Sequence, residues 1–172
     1  DAALADGDLL YLLVTERPSN SKTAIVPNYV TESSYTEDIN TRTKVGDAQN
    51  QPKLVVFDLK GAKTTVARVP GVDEKRDLRW SIPVVSPDGK HAVASARAAD
   101  NEDRWFVLVA RDGTGKIVDH THDDAWVRDP GFTGCLPDNM RFWFGAEKDG
   151  WAHLYTVDVT ADKPAPTALT SG

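Results

Sequence analysis

A turn followed by a short apolar run occurs three times in this chain, and that repetition constrains the fold more than any other feature. The copies are Leu4-Ala5-Asp6-Gly7-Asp8 ahead of Leu9 to Val14, Ser86-Pro87-Asp88-Gly89-Lys90 ahead of Ala92 to Ala96, and Leu136-Pro137-Asp138-Asn139-Met140 ahead of Phe142 to Ala146. Proline presets φ at the first central turn position, and Asp-Gly or Asp-Asn tolerates the left-handed backbone that follows. A second apolar run succeeds each first one: Leu54 to Leu59, Trp105 to Ala110 leading into Arg111-Asp112-Gly113, and Leu154 to Val159. The runs are short, rich in Val, Leu, Phe, Trp and Tyr, and bounded by Gly and Asp. They lack a sustained 3.6-residue period, which predicts strands and no helices.

Asp88 and Asp138 lie 50 residues apart, close to the roughly 40–50 residues of a four-stranded propeller blade. The spacing predicts an all-β fold: a partial β-propeller of about three four-stranded antiparallel blades of a larger ring. Blade 1 is expected over about 4–70, blade 2 over about 78–124 and blade 3 over about 128–170. The polar, Thr-rich stretch 17–52 reads as an insertion between the two inner strands of blade 1. Long loops in compact domains tend to be functional or disordered. Ile25 to Val30, with Tyr35 beyond it, carries enough β-formers to be ordered, and this arm is expected to contact another domain or subunit. An open arc leaves its end blades with bare apolar faces, so rings close with about four to eight blades. Further blades, upstream or downstream, are therefore expected in the same protein. Ala168 to Gly172 reads as a strand and the turn toward the next one, and Asp1 to Asp8 has neither a basic n-region nor an apolar h-region.

Composition narrows the function classes. The formal net charge of −6 comes from interspersed acidic and basic residues, which disfavours a nucleic-acid phosphate backbone as partner. No run approaches the roughly 18 apolar residues of a membrane span. A single cysteine, Cys135, excludes an internal disulfide. No P-loop or G-x-G-x-x-G occurs, so no nucleotide cofactor is expected.

Asp119-His120-Thr121-His122-Asp123-Asp124 invites a metal reading, since His at i and i+2 share a strand face. Spacing offers no third ligand, and a polar turn between blades contains the same residues, so no metal is expected. Trp126-Val127-Arg128-Asp129 reads either as a packing Trp with a solvated Arg-Asp pair or as a wall carrying Arg128 toward a carboxylate or carbonyl. Cys135 reads as a small buried filler, His153 as a ring bonded to its neighbours, and Asp73-Glu74-Lys75-Arg76-Asp77 as a solvated connection. None of Ser19, Ser21, Ser33, Ser34, Ser81, Ser86, Ser95 or Ser171 lies in the G-x-S-x-G context of a nucleophile elbow. No catalytic residue is assigned to this chain.

Four stretches carry a family resemblance: Trp80 with Ser86-Pro87-Asp88-Gly89-Lys90; Glu147-Lys148-Asp149-Gly150-Trp151-Ala152-His153-Leu154-Tyr155; Arg42 to Asp47 with Leu54 to Leu59; and Leu169-Thr170-Ser171-Gly172. Together they resemble the N-terminal propeller of the prolyl oligopeptidase family of serine peptidases, in its dipeptidyl-peptidase-IV-like branch. The resemblance implies a propeller covering a C-terminal α/β-hydrolase domain with a Ser-His-Asp triad, peptide substrates filtered by the propeller, possible homo-oligomers, and a periplasmic or secreted location. That branch grips the substrate's amino terminus with paired glutamates, and no Glu-Glu pair occurs here. Either that element lies upstream of Asp1 or the parent lacks aminopeptidase specificity. The expected function is therefore a propeller segment that gates and selects peptides for a hydrolase domain absent from this chain. The alternative is a non-catalytic protein-binding propeller, which the same blade pattern supports. A complete small β-sandwich would make the repeats coincidental.

Overall fold

The computed structural model describes every residue except Asp1, Asp6, Ser21, Val45, Gly46 and Gln49. Asp6 of the first turn, Ser21, and Val45 and Gly46 of the Arg42 to Asp47 stretch thus lie outside the described residues. The chain divides into two compact units, residues 1–14 with 52–172, and residues 15–51.

The smaller unit is built on a hairpin of β3 (Ile25–Asn28) and β4 (Glu37–Asn40), paired antiparallel with Val26 opposite Ile39. Its loop is closed by side chains: Asn28 Oδ1 accepts from the Val30 N–H at 3.2 Å, and the Thr31 hydroxyl donates to the Tyr35 carbonyl at 2.6 Å. Ser34 takes a φ of 61° at the tip.

Three sheets make up the larger unit. The first has the order β1 (Ala2–Ala5), β2 (Leu9–Glu16), β5 (Gln51–Asp58), β6 (Lys63–Val66). The third runs β12 (Thr133–Cys135), β13 (Arg141–Ala146), β14 (His153–Asp158), β15 (Thr167–Ala168). The second has β9 (Ala92–Ala98), β10 (Asp103–Val109) and β11 (Gly115–His122), with both β7 (Leu78–Trp80) and β8 (Val84–Val85) paired to β9. It counts five strands because its first strand is broken at Ser81-Ile82-Pro83, where Pro83 has no N–H to give a ladder. Ser81 bridges the gap: its N–H reaches the Ser95 carbonyl and its Oγ accepts from the Ser95 N–H, each at 2.9 Å. Among the described residues there is no helix, and the architecture is a partial β-propeller with open ends.

Strand alternation builds the core on both sides of the central blade. Trp105, Val107 and Val109 face the first sheet and pack with Leu9, Tyr11, Leu54 and Val56. The Tyr11 hydroxyl donates across this seam to the Val109 carbonyl at 3.2 Å. Phe106 faces the third sheet, where its ring lies 4.8 Å from that of Phe144 and 5.1 Å from that of Phe142. A bulge interrupts this regularity. Phe106 pairs with Asp119 but Val107 with Ile117, leaving Val118 as the extra residue in β11.

One end of the three sheets consists of tight turns closed by aspartates. Asp58 accepts from the N–H groups of Lys60 and Gly61, Asp112 from Thr114, Asp138 from Met140 and Arg141, and Asp158 from Thr160. Asp88 takes the Ser86 hydroxyl at 2.7 Å and the Lys90 N–H at 3.2 Å. These are Asx-type turns, in which the carboxylate satisfies backbone donors that the reversing chain leaves open. The Ser86 hydroxyl, followed by the Lys90 N–H, holds the Asp88 carboxyl below its ordinary range. Gly89 and Asn139 take φ values of 78° and 65°, the left-handed positions those sequences predict. The same end is stitched from blade to blade, by Arg111 between Asp8 and Asp58 and by Asn139 Oδ1 accepting from the Asp88 N–H at 3.0 Å.

Candidate functional site

Antiparallel topology sends the connections β9–β10 and β13–β14, and the connector from β11 to β12, to the end opposite the aspartate turns. Large side chains stand free there. Trp126 on the connector is 60% exposed and Trp151 on the β13–β14 turn is 73% exposed. Arg128, also exposed, lies 3.5 Å from Glu147 at the start of that turn. Exposed Trp and Arg are the side chains most often used to grip a partner at an interface, through flat apolar area and a rigid fork of donors.

Behind this rim, Asp103 gathers three side chains from two segments, the 73–77 run and β11. Its Oδ1 faces His120 Nε2 at 2.7 Å and His122 Nδ1 at 2.9 Å, and its Oδ2 accepts from Arg76 at 2.6 Å. The Asp103 side chain is only 7% exposed. Burial acts to raise its carboxyl pKa, but the hydrogen bonds from His120, His122 and Arg76 outweigh burial and leave it below the ordinary range. His120 stacks on Trp105, with ring centroids 5.1 Å apart and planes 8° from parallel, and Arg76 lies over the same indole at 5.4 Å. Arg76 also reaches Asp100 at 3.0 Å. The 73–77 run is thus anchored to blade 2 through its arginine, while Asp73 closes a turn by accepting from the Lys75 N–H at 2.9 Å.

A second cluster lies on the opposite face of β10. Arg104 has no solvent exposure, donates to Asp129 Oδ1 at 3.1 Å, and stands 4.7 Å over the Phe106 ring. Its Nε and Nη2 have no hydrogen-bond partner among the described residues, and burial lowers its pKa. Cross-strand from it, Arg97 donates to the Val127 carbonyl and lies over the Trp126 ring at 5.4 Å. Asp119, buried between blades 2 and 3, pairs with Lys148. The two arginines therefore fix the connector that presents Trp126 and Arg128.

The other sequence candidates fall as follows. Cys135 is half-buried in β12; burial, then Asp138 and Asp88, pushes its thiol up, which disfavours the thiolate a nucleophile requires. His153 is buried, with Nδ1 at 3.3 Å from Thr170 Oγ1 and Nε2 at 3.4 Å from Asp149. Thr170 Oγ1 also accepts from the Leu154 N–H at 3.0 Å, so this contact ties the end of blade 3 together. Ser86 is engaged in its turn. Among the described residues, no cluster of three His, Cys, Asp or Glu side chains is arranged to hold a metal. An open groove of about 600 Å³ between β6 and the β10–β11 turn is lined by Thr64, Thr65, Val66, Pro70 and Gly113 among others, and its lining is mainly apolar. No helix among the described residues is long and apolar enough to cross a membrane.

Asp103 and Arg104 were not singled out by sequence. Both precede the apolar run that begins at Trp105, where a charged pair reads as the edge of a strand and not as its buried beginning. The available signal was the alternation itself, which continued backward puts Asp103 on the Trp105 face and Arg104 on the Phe106 face.

No curated protein matches the sequence. Among solved structures, the fold is similar to dipeptidyl peptidase 4 of Porphyromonas gingivalis, with a TM-score of 0.71 at 17% sequence identity. That similarity covers 99% of this chain and 24% of the Porphyromonas chain, so the present chain spans about a quarter of that protein's length. Residues 10–172 match the family described as the dipeptidyl peptidase IV (DPP IV) N-terminal region. With all but the first nine residues inside that match, the chain belongs to the dipeptidyl peptidase IV N-terminal region family.

Proposed function

We propose that this chain is the part of a serine peptidase that gates and selects peptides, while a hydrolase domain elsewhere in the same protein performs acyl transfer. The family match over residues 10–172 carries this reading. The exposed Trp126, Trp151 and Arg128, gathered by topology at one end of blades 2 and 3, support it. They offer a peptide flat apolar surface and a fork of donors for its carbonyls or carboxylate. Nothing in this set supplies a nucleophile with an adjacent base, so the chemistry is assigned to the other domain. The test is fluorophosphonate labelling of the protein expressed from its whole reading frame, run beside residues 1–172, with intact-mass readout. The expected result is a labelled full-length protein and an unlabelled fragment. An unlabelled full-length protein would leave the family assignment standing and favour a non-catalytic binding propeller.

The hairpin unit supports a further part of this proposal, contact with another domain or subunit. Val26, Tyr29, Val30, Tyr35 and Ile39 are exposed on this two-stranded piece, far more apolar area than a solvated hairpin of its size requires. Replacing Tyr29, Val30 and Tyr35 together by Ser is expected to shift the full-length protein to a lower mass in light scattering. An unchanged mass, with unchanged labelling by the fluorophosphonate, would remove the arm from self-association.

A further inference from the structure

The His120-Thr121-His122 motif is not used by the proposed function, yet the structure gives His122 an unusual setting. Both of its ring nitrogens face carboxylates: Nδ1 lies 2.9 Å from Asp103 Oδ1 and Nε2 lies 3.1 Å from Asp124 Oδ1. A neutral imidazole has one donor and one lone pair, so it satisfies one of these partners and repels the other. The imidazolium donates to both. Asp103 belongs to the body of blade 2, where Arg76 holds its other oxygen. Asp124 belongs to the connector toward blade 3, and the turn there is closed by Asp123, which accepts from the N–H groups of Ala125 and Trp126 at 2.8 and 2.9 Å.

We propose that His122 is a proton-operated latch that fastens the β11–β12 connector, and with it Trp126, to the end of blade 2. The charged groups around the ring are Asp103 on β10, Asp123 and Asp124 on the connector, His120 on β11 itself with its ring centroid 6.4 Å away, and, across Asp103, Arg76 with its partner Asp100. Asp103 first and Asp124 second raise the His122 pKa above the ordinary histidine value. The latched state is therefore favoured at pH values below the ordinary range and is lost as pH rises through the raised pKa. Deprotonation removes the Nε2 proton, leaves the Nδ1–H donating to the buried Asp103 carboxylate, and turns the Nε2 lone pair toward Asp124. The connector end is the one released. Its backbone ties, Asp123 N–H to the Glu102 carbonyl and Val127 N–H to the Asn101 carbonyl at 2.9 and 2.8 Å, keep it seated while its opening becomes more frequent.

Hydrogen exchange measured by mass spectrometry on the full-length protein tests this without reference to peptidase activity, with labelling times corrected for intrinsic pH dependence. Between about pH 6 and about pH 9, protection of peptides covering 123–128 is expected to fall about two- to fivefold, the range a partly exposed ion pair supports. His122→Gln is expected to hold the high-pH level throughout, whereas His120→Gln keeps the step, which separates the two rings. A flat wild-type profile, or a step that persists in His122→Gln, would overturn the latch. Asp124→Asn provides the second variant: it is expected to remove the step while leaving the Asp103 network intact, so misfolding of one substitution does not decide the outcome.

Discussion

Asp129→Ala is expected to destabilise the protein by about 3–5 kcal/mol, because it strands the solvent-inaccessible Arg104 guanidinium without its hydrogen-bonded carboxylate. Arg104 is wholly buried, and its side chain donates to Asp129 at 3.1 Å. Two of its nitrogens already lack partners among the described residues, none of which offers a spare acceptor to take up the lost contact. Asp119, the other carboxylate that acts on Arg104, is engaged with Lys148. Removing both members should behave differently. In Arg104→Met with Asp129→Ala an apolar chain of similar length lies over Phe106, and most of the loss is expected to be recovered, since a buried pair replaced by apolar packing is often neutral. Denaturant unfolding of the wild type, both single variants and the double variant gives the coupling. A double variant as unstable as Asp129→Ala would show that the loss comes from the connector turn, where Asp129 also accepts from the Gly131 N–H at 2.9 Å, and not from a stranded charge.

Phe144→Ala is expected to cost a similar amount, about 3–5 kcal/mol, by a different route. Phe144 sits at the middle of the seam between blades 2 and 3 with no exposure, and its ring meets Phe106 at 4.8 Å, Tyr155 at 5.7 Å and Phe142 at 5.8 Å. Truncation removes the apolar transfer term and leaves a cavity walled by strands that are fixed in register on both sides, so little collapse is possible. Phe144→Leu, which keeps most of the volume, should lose markedly less. Thermal unfolding monitored by near-ultraviolet circular dichroism reads both, and equal losses for the two variants would mean that ring stacking, not volume, holds the seam.

The features legible in the sequence were those fixed within a few residues. Ser86-Pro87-Asp88-Gly89 and Leu136-Pro137-Asp138-Asn139 encode their own turns, with a hydroxyl or carboxylate placed to close them and a left-handed residue in the fourth position. The apolar runs after them became β9 and β13, and the alternation inside them gave the core faces. The Asp103 centre was not legible for a geometric reason. It joins positions 76, 103, 120 and 122, whose proximity depends on the pairing of β10 with β11 and on a bulge at Val118. Had the ladder continued from Val107–Ile117 without a bulge, so that Val118 paired with Phe106, the alternation would have turned His120 and His122 toward the Arg104 face. The spacing of the two histidines showed that they share a face, but one unpaired residue decided which face it is. At the rim, the 126–129 stretch left two readings open, a packing Trp with a solvated Arg-Asp pair or a wall carrying Arg128, and Trp151 was seen only as part of a family-like hairpin.

The break in the first strand of blade 2 bears on whether that sheet can be extended by another strand. Along the free edge of that sheet, β7 offers three residues and β8 two, separated by a proline that has no donor. A visiting backbone thus finds no continuous row of amides and carbonyls to zip onto, and strand addition is frustrated there. Any strand that approached this edge would have to be held by side-chain contacts and not by a main-chain ladder.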